Sequence, residues 1–343
     1  MLLSIIIPCY NSELYIDRCI NSLINQTFAT KDLQLIFIND ASTDHTLSIL
    51  LKYETKYPEL ITVIDSPTNL KQGGARNLGL KYATGTYVGF VDSDDWVEPD
   101  MYEQLYNKAV EYQCDIVGCC IYRNLPDGAQ TAYPIQQDFY YRLSEEDIIS
   151  HKLVPTIGSY NVTRIIRRSL LVDNHISFPE KIYYEDNFFS GILQYYITSG
   201  YYINRCLYHY YYRPDSTTSQ NNNPHQLDRL AIELLKIEEF QKRGLFDPYH
   251  AQIEYDFLKL FYFNTMDLLF AQFQEFPPDV FSYMKETITT IFPKYLSNPF
   301  LRNVCSQNPY YHFFLELLQK DINDRELTLL GETYRKNFHI SLS

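Results

Sequence analysis

The chain has 343 residues, enough to bury a full core and to form one large domain and a smaller one. Its formal charge of -13 excludes sequence-independent nucleic-acid binding, which needs a basic footprint, and a broadly basic membrane-binding face. The 7 Cys are odd in number and include no C-x-x-C pair, so they are expected to be reduced and buried in a cytoplasmic protein.

No secretory leader is expected, because Met1 to Pro8 lacks a basic stretch and is too short to span a membrane. Leu3 to Pro8 is a continuous apolar run and predicts a strand buried on both faces. Asn11-Ser12 then opens an amphipathic helix to about Gln26, with Leu14, Ile16, Cys19, Ile20, Leu23 and Ile24 on one face. The second strand, 33–38, ends in the polar turn 39–44, and a helix follows to about Tyr57. The third strand, 61–64, ends at Asp65; the loop 66–72 leads to Gly73-Gly74 and a helix through Tyr82.

The fourth strand, Tyr87 to Val91, runs into Asp92, Ser93, Asp94 and Asp95. Side chains of an extended segment alternate faces, so Asp92 and Asp94 can project to one side and suit a hard cation, Mg²⁺ or Mn²⁺. An acidic turn that caps the next helix is the alternative. Pro99 sits where a first helical turn tolerates proline, and 115–122 reads as a fifth strand.

Strands alternating with helices predict an α/β fold, a mostly parallel sheet with helices on both faces. Ligands of such sheets bind beyond the carboxyl ends of the strands, and Asn11, Asp40, Asp65, Asp92 and Asp94 all fall there. Residues 124–160 read as irregular, and 161–168 as a strand leading into a short helix. Glu185-Asp186 stands at a helix start, and the aromatic strand 201–212 ends in Arg213-Pro-Asp-Ser-Thr-Thr218. The polar run 219–223 reads as a boundary. Beyond Pro224 the apolar spacing is helical, with proline breaks that predict about four to six helices.

Six stretches carry a resemblance: Ser4-Ile-Ile-Ile-Pro-Cys-Tyr-Asn11, Ile38-Asn-Asp-Ala-Ser-Thr-Asp44, Asn69-Leu-Lys-Gln-Gly-Gly-Ala-Arg-Asn-Leu-Gly79, Phe90-Val-Asp-Ser-Asp-Asp95, Tyr184-Glu-Asp186 and Tyr212-Arg-Pro-Asp-Ser-Thr-Thr218. In this order and spacing the chain resembles the bacterial inverting glycosyltransferases of family 2, which have a GT-A, Rossmann-like fold. The resemblance implies a nucleotide-sugar transferase domain over 1–218, with a nucleotide-binding half at 1–123 and an acceptor half at 124–218. The helical C-terminal region, 224–343, lies outside it.

The same resemblance implies residue roles. Asp40 and Asp65 would hold a uracil nucleoside with Pro8, Tyr10 and Asn11. Gly73 and Arg76 would serve the diphosphate, and Asp92 with Ser93 the ribose. Asp92 would also face the waters of a Mn²⁺ or Mg²⁺ ion that Asp94 ligates, with His209 as third ligand. Glu185 would hold the donor sugar, Asp186 would be the general base, and Arg213 and Ser216 would close over the diphosphate. Bland alternatives stand beside these: a helix cap for Asp40, a surface salt bridge for Arg76, pairing with a helix N-terminus for Glu185-Asp186, and a packed ring for His209.

The expected activity is metal-dependent transfer from a UDP-sugar to a hydroxyl of a glycan, lipid-linked or protein-linked acceptor. The expected setting is the cytoplasm, with peripheral contact at the inner face of the membrane and self-association. Arg164, Arg167 and Arg168 could meet an anionic lipid-linked acceptor or form a solvated helix face. Two other functions compete: a non-catalytic scaffold partner of an active transferase, and a sugar nucleotidyltransferase. The latter wants a Gly-rich loop where Pro8-Cys-Tyr-Asn11 stands.

Overall fold

The computed structural model describes residues 1–153, 160–213, 220–301 and 308–338. The first strand, β1 (Leu3–Cys9), is buried along its whole length. It pairs in parallel with β2 (Leu33–Asn39) on one side and β4 (Tyr87–Phe90) on the other, and β2 pairs with β3 (Ile61–Asp65). The continuous apolar run is thus explained: Ile5, Ile7 and Cys9 join one core cluster. Ile6 faces the helix α3 (Lys71–Tyr82), where a Cβ on Gly79 would lie 2.4 Å from its Cγ2.

The helix α1 is shorter than expected, Ile16–Ile24, and Leu14 is exposed. Asn11 takes a left-handed φ of 48° and Ser12 bonds outward to Thr46, so the segment before Ile16 is committed to a loop. The helices α2 (Thr46–Lys56) and α4 (Met101–Glu111) follow the pattern of the first half.

Beyond β4 the sheet becomes mixed, in the order β3-β2-β1-β4-β9-β6-β10-β5. The strand β9 (Arg164–Arg167) inserts antiparallel between β4 and β6 (Ile116–Asn124). A two-residue strand, β5 (Trp96–Val97), follows the carboxylate turn, and the stretch expected to be irregular contains β7 (Gln130–Tyr133), β8 (Phe139–Arg142) and the short helix α5 (Glu145–Ile149). The long strand β10 (Ser199–Tyr211) runs parallel to β6 with register shifts between Ile203 and Tyr208. Such shifts increase local twist. The far end of β10 pairs with β5, which brings it beside the turn that follows β4.

The chain divides into two units, Met1–Arg213 and Pro214–Ser343. The second is helical: 228–242, a continuous rod 250–272, 280–291, 309–318 and 324–338. The rod contains a π-helical stretch, Leu258–Phe263, and the unit's core is aromatic, with Phe257, Phe261, Phe270, Phe281 and Phe314 fully buried. Among the described residues no helix is long and apolar enough to cross a membrane. The six described cysteines are free thiols.

Candidate active site

The carboxylates after β4 project from a turn, not from an extended strand: Asp95 N–H donates to Asp92 O at 3.0 Å. The turn is held from β10. The Tyr208 hydroxyl donates to Asp95 Oδ2 at 2.6 Å and accepts from Asp92 N–H at 3.2 Å, and Tyr211 N–H donates to Asp95 Oδ1 at 2.7 Å. Burial, then the charges of Asp94 and Asp92, push the Asp95 carboxyl well up. Ser93 is fixed from the other side, its hydroxyl 2.6 Å from that of Ser12.

Asp92 and Asp94 keep partly exposed side chains. Burial first, and the Asp92 charge second, raise the Asp94 carboxyl to about 6, with Arg213 opposing. Arg213 Nε lies 3.0 Å from Asp94 Oδ2. Arg18 of α1, which no motif in the sequence singled out, donates from Nη2 to Asp94 O at 2.8 Å and stacks over Trp96 and Tyr211.

A second cluster forms at the ends of β1, β2 and β3. Tyr10 is 53% exposed beside Asn11, whose Oδ1 accepts from Thr43 N–H at 2.8 Å. Pro8 is the buried penultimate residue of β1. Asp40 is buried; its Oδ1 accepts from Leu70 N–H at 2.6 Å. It does not cap α2, because Thr46 N–H, at the start of that helix, is satisfied by Asp44 Oδ1 at 3.0 Å. Burial raises the Asp40 carboxyl against the Leu70 and Lys71 amides. Asp65 is exposed, aligned with Asn39 in the sheet and hydrogen-bonded to it at 2.7 Å. Asn11, Ala41, Lys71 and Tyr184 all have positive φ, 48° to 66°. Such conformations are sparse outside glycine and gather where surrounding structure enforces them.

The acidic pair opens the helix α7 (Glu185–Leu193) immediately after Tyr184. Glu185 is buried, with Oε1 2.6 Å from Arg76 Nη1; Arg76 Nη2 lies 2.8 Å from Asp92 Oδ1. Arg76 is therefore not a surface salt bridge: it is buried, and both its terminal nitrogens are engaged by carboxylates. Burial opposes its charge, but Asp92, Glu185 and Asp186 outweigh burial and raise its pKa. Burial likewise raises the carboxyls of Glu185 and Asp186, with Arg76 opposing. Asp186 Oδ1 accepts its neighbour's Asn187 N–H at 2.9 Å.

Gly73 is required by packing. A Cβ at Gly73 would lie 2.2 Å from Pro179 O and 3.2 Å from Glu185 Cγ, so only glycine admits the segment that leads into α7.

His209 is a packed ring. Its ring is buried between Trp96 and Tyr122, Nε2 is 2.8 Å from Glu98 Oε1, and Nδ1 lies 3.4 Å from Asn124 Nδ2 and 3.3 Å from Gln130 Nε2. Both ring nitrogens thus have neighbouring side-chain partners. Among the described residues no group of three or more His, Cys, Asp or Glu is arranged around a metal position. The basic cluster is structural too. Arg164 is buried and donates to Tyr160 O, Arg167 pairs with Asp115, and Arg168 donates to Gly85 O. Ser216 lies outside the described residues.

Residues 4–173 match the family model described as "Glycosyl transferase family 2". The uncharacterized glycosyltransferase YibD of Escherichia coli (strain K12) is 30% identical over 274 residues, 75% of this chain and 78% of that protein. The poly(ribitol-phosphate) beta-glucosyltransferase of Bacillus spizizenii is 34% identical over 182 residues, 53% of this chain and 27% of that protein. Among solved structures, S. aureus TarS 1–349 in complex with UDP-GlcNAc superposes with a TM-score of 0.59 at 22% identity, covering 98% of this chain and 92% of that one. The curled mixed sheet with its helices is the GT-A fold that this likeness shows. The chain belongs to glycosyltransferase family 2. It is a glycosyltransferase, and the two relatives named above are bacterial.

Proposed function

We propose that this chain transfers a sugar from a UDP-sugar, with inversion at the anomeric carbon, to a hydroxyl of a glycan or glycoconjugate acceptor. The observation that carries this reading is Arg76. One guanidinium touches both Asp92, at the turn where a donor would dock, and Glu185, beside the acidic helix start where a base is needed. Leaving group and base then act on one anomeric carbon.

Tyr10, Asn11, Asp40 and Asp65 hold the nucleoside, and Asp92 with Ser93 holds the ribose. That S. aureus TarS was solved with UDP-GlcNAc supports UDP as the carrier. Asp92 and Asp94 fit a divalent cation: they are neighbouring hard oxygen donors whose mutual repulsion helps hold the Asp94 carboxyl up. Such an ion, when bound, supplies positive charge to the departing diphosphate. Arg213, beside Asp94, serves the same diphosphate from the protein side. Asp186 takes the proton of the acceptor hydroxyl as its oxygen bonds to the anomeric carbon from the face opposite the leaving group, and UDP departs. Glu185 orients the donor sugar.

Residues 1–218 carry the chemistry in this reading, and 224–343 contribute to acceptor binding or self-association. The acceptor is a bacterial surface polymer or its lipid-linked precursor, met in the cytoplasm at the inner face of the membrane. The relative that acts on poly(ribitol-phosphate) supports an acceptor of that kind. Calorimetric titration with UDP, GDP, ADP and CDP, with and without Mn²⁺, tests the donor. UDP should bind tightest and gain from the metal. Equal affinity for all four, or no metal effect, would overturn the reading.

A further inference from the structure

We propose that Arg76 is a positioning residue that sets the spacing between the donor turn and the acceptor-side helix start, and is not a ligand of the diphosphate. This rests on the function proposed above.

The helix α3 grips the segment before α7 at successive places along its length. Lys71 Nζ lies 4.2 Å from the centre of the Tyr183 ring. Gly73 lets Pro179 O approach to a distance no side chain would allow. Asn77 clamps Phe178 from both sides of its amide side chain: Nδ2 donates to Phe178 O at 2.8 Å, and Oδ1 accepts from Phe178 N–H at 2.9 Å. Arg76 completes the set with Glu185. The same helix starts beside Leu70, whose amide is held by Asp40. The nucleoside pocket, α3 and the start of α7 are thus joined by direct bonds.

Arg76 is the one member of this set that also reaches the donor turn, through Asp92. It is 3% exposed, and its Nε is buried without a hydrogen-bond partner. A planar fork with two engaged ends fixes the separation of its partners, which a single ammonium cannot do. Asp186 follows Glu185 on the same helical turn, so the base inherits its position from this bridge.

The test uses the full chain and three variants: Arg76→Lys, Glu185→Gln and the double variant. Affinities for uridine and UDP, Tm, and transfer rate are measured on the same preparations. With Arg76→Lys, uridine and UDP should bind within about threefold of wild type, while kcat falls about 10²-fold, as expected for an ångström-scale misplacement of reacting groups. Glu185→Gln should lower kcat with UDP affinity retained, and the double variant should be no worse than the more impaired single one, since the two act as a unit.

A tenfold or larger loss of UDP affinity with uridine unchanged would make Arg76 a diphosphate ligand and overturn the proposal. So would additive losses in the double variant. A lower Tm with kcat within about threefold of wild type would reduce Arg76 to a structural role and also overturn it. If Arg76→Lys does not fold, the Glu185→Gln arm decides: unchanged kcat there overturns the bridge. Wild-type protein that moves no sugar from any UDP-sugar would instead refute the underlying function, an outcome visible before any variant is made.

Discussion

Asp95 and Tyr208 stand 113 residues apart, and the Tyr208 hydroxyl donates to the buried Asp95 carboxylate at 2.6 Å. The same hydroxyl accepts from Asp92 N–H, so one oxygen of β10 ties the two ends of the carboxylate turn together. Replacing Tyr208 with Phe removes one donor from a buried carboxylate and leaves the Asp92 amide unpaired. Loss of such a partner costs about 1–3 kcal/mol. Denaturant unfolding should show that loss, and UDP affinity should weaken with it because the turn is less well ordered. Unchanged stability and affinity would mean that Asp95 finds other partners.

Gly73→Ala should be disruptive far beyond its size. The added methyl would meet a backbone carbonyl, that of Pro179, at 2.2 Å, and a backbone atom cannot rotate away. Overpacking of this kind costs about 1–3 kcal/mol. Both thermal stability and transfer rate should fall, since the displaced segment carries Glu185. If only UDP affinity changed, the glycine would be facing phosphate after all.

The pH profile should carry the mark of a buried base. Burial raises the Asp186 carboxyl above its ordinary 3.8 in spite of Arg76. A base acts only when deprotonated, so raising its pKa moves the acid limb of kcat/KM upward. The rate should fall as pH drops while still above 3.8, and the residual activity of Asp186→Asn should lack that limb. Full activity maintained down to 3.8 would exclude a buried base at this position.

In the C-terminal unit, Lys236 and Glu233 form a buried pair at 2.7 Å, and Glu233 Oε1 has no hydrogen-bond partner. Lys236→Met would strand the Glu233 charge, at a cost of about 3–5 kcal/mol for a broken buried pair. Glu233→Leu combined with Lys236→Met should recover most of it. Urea unfolding of both variants checks this, and equal stabilities would show that the pair is not an electrostatic unit.

Much of the first half was legible because its strands are continuous apolar runs, the mark of burial on both faces. The polar residues that follow them, Asn11, Asp40, Asp65 and Asp92, stand where such a sheet binds ligands. What escaped were features fixed by long-range contact. Arg76 meets partners 16 and 109 residues away, and no local spacing encodes which of its neighbours would claim it. His209 could be packed or ligating on sequence alone, and its contacts with Glu98, Trp96 and Tyr122 come from segments far away in the chain. The strand and helix expected at 161–168 are present as β9 and α6 (Arg168–Asp173), but Arg164, Arg167 and Arg168 on them are claimed by burial, Asp115 and Gly85 O, which spacing does not encode. The strands β5, β7 and β8 are two to four residues long, too short for periodicity to show.

In the proposed mechanism Asp94 serves the donor and Asp186 the acceptor, and two variants test that division directly. Transfer rate and UDP-sugar affinity are measured together on Asp94→Ala and Asp186→Asn. Asp94→Ala should lose metal-dependent UDP binding and turnover in parallel. Asp186→Asn should bind the UDP-sugar almost as wild type and turn over about 10²- to 10⁴-fold more slowly, the range for a positioned base. Normal metal-dependent UDP binding in Asp94→Ala, or near-normal turnover in Asp186→Asn, would contradict it.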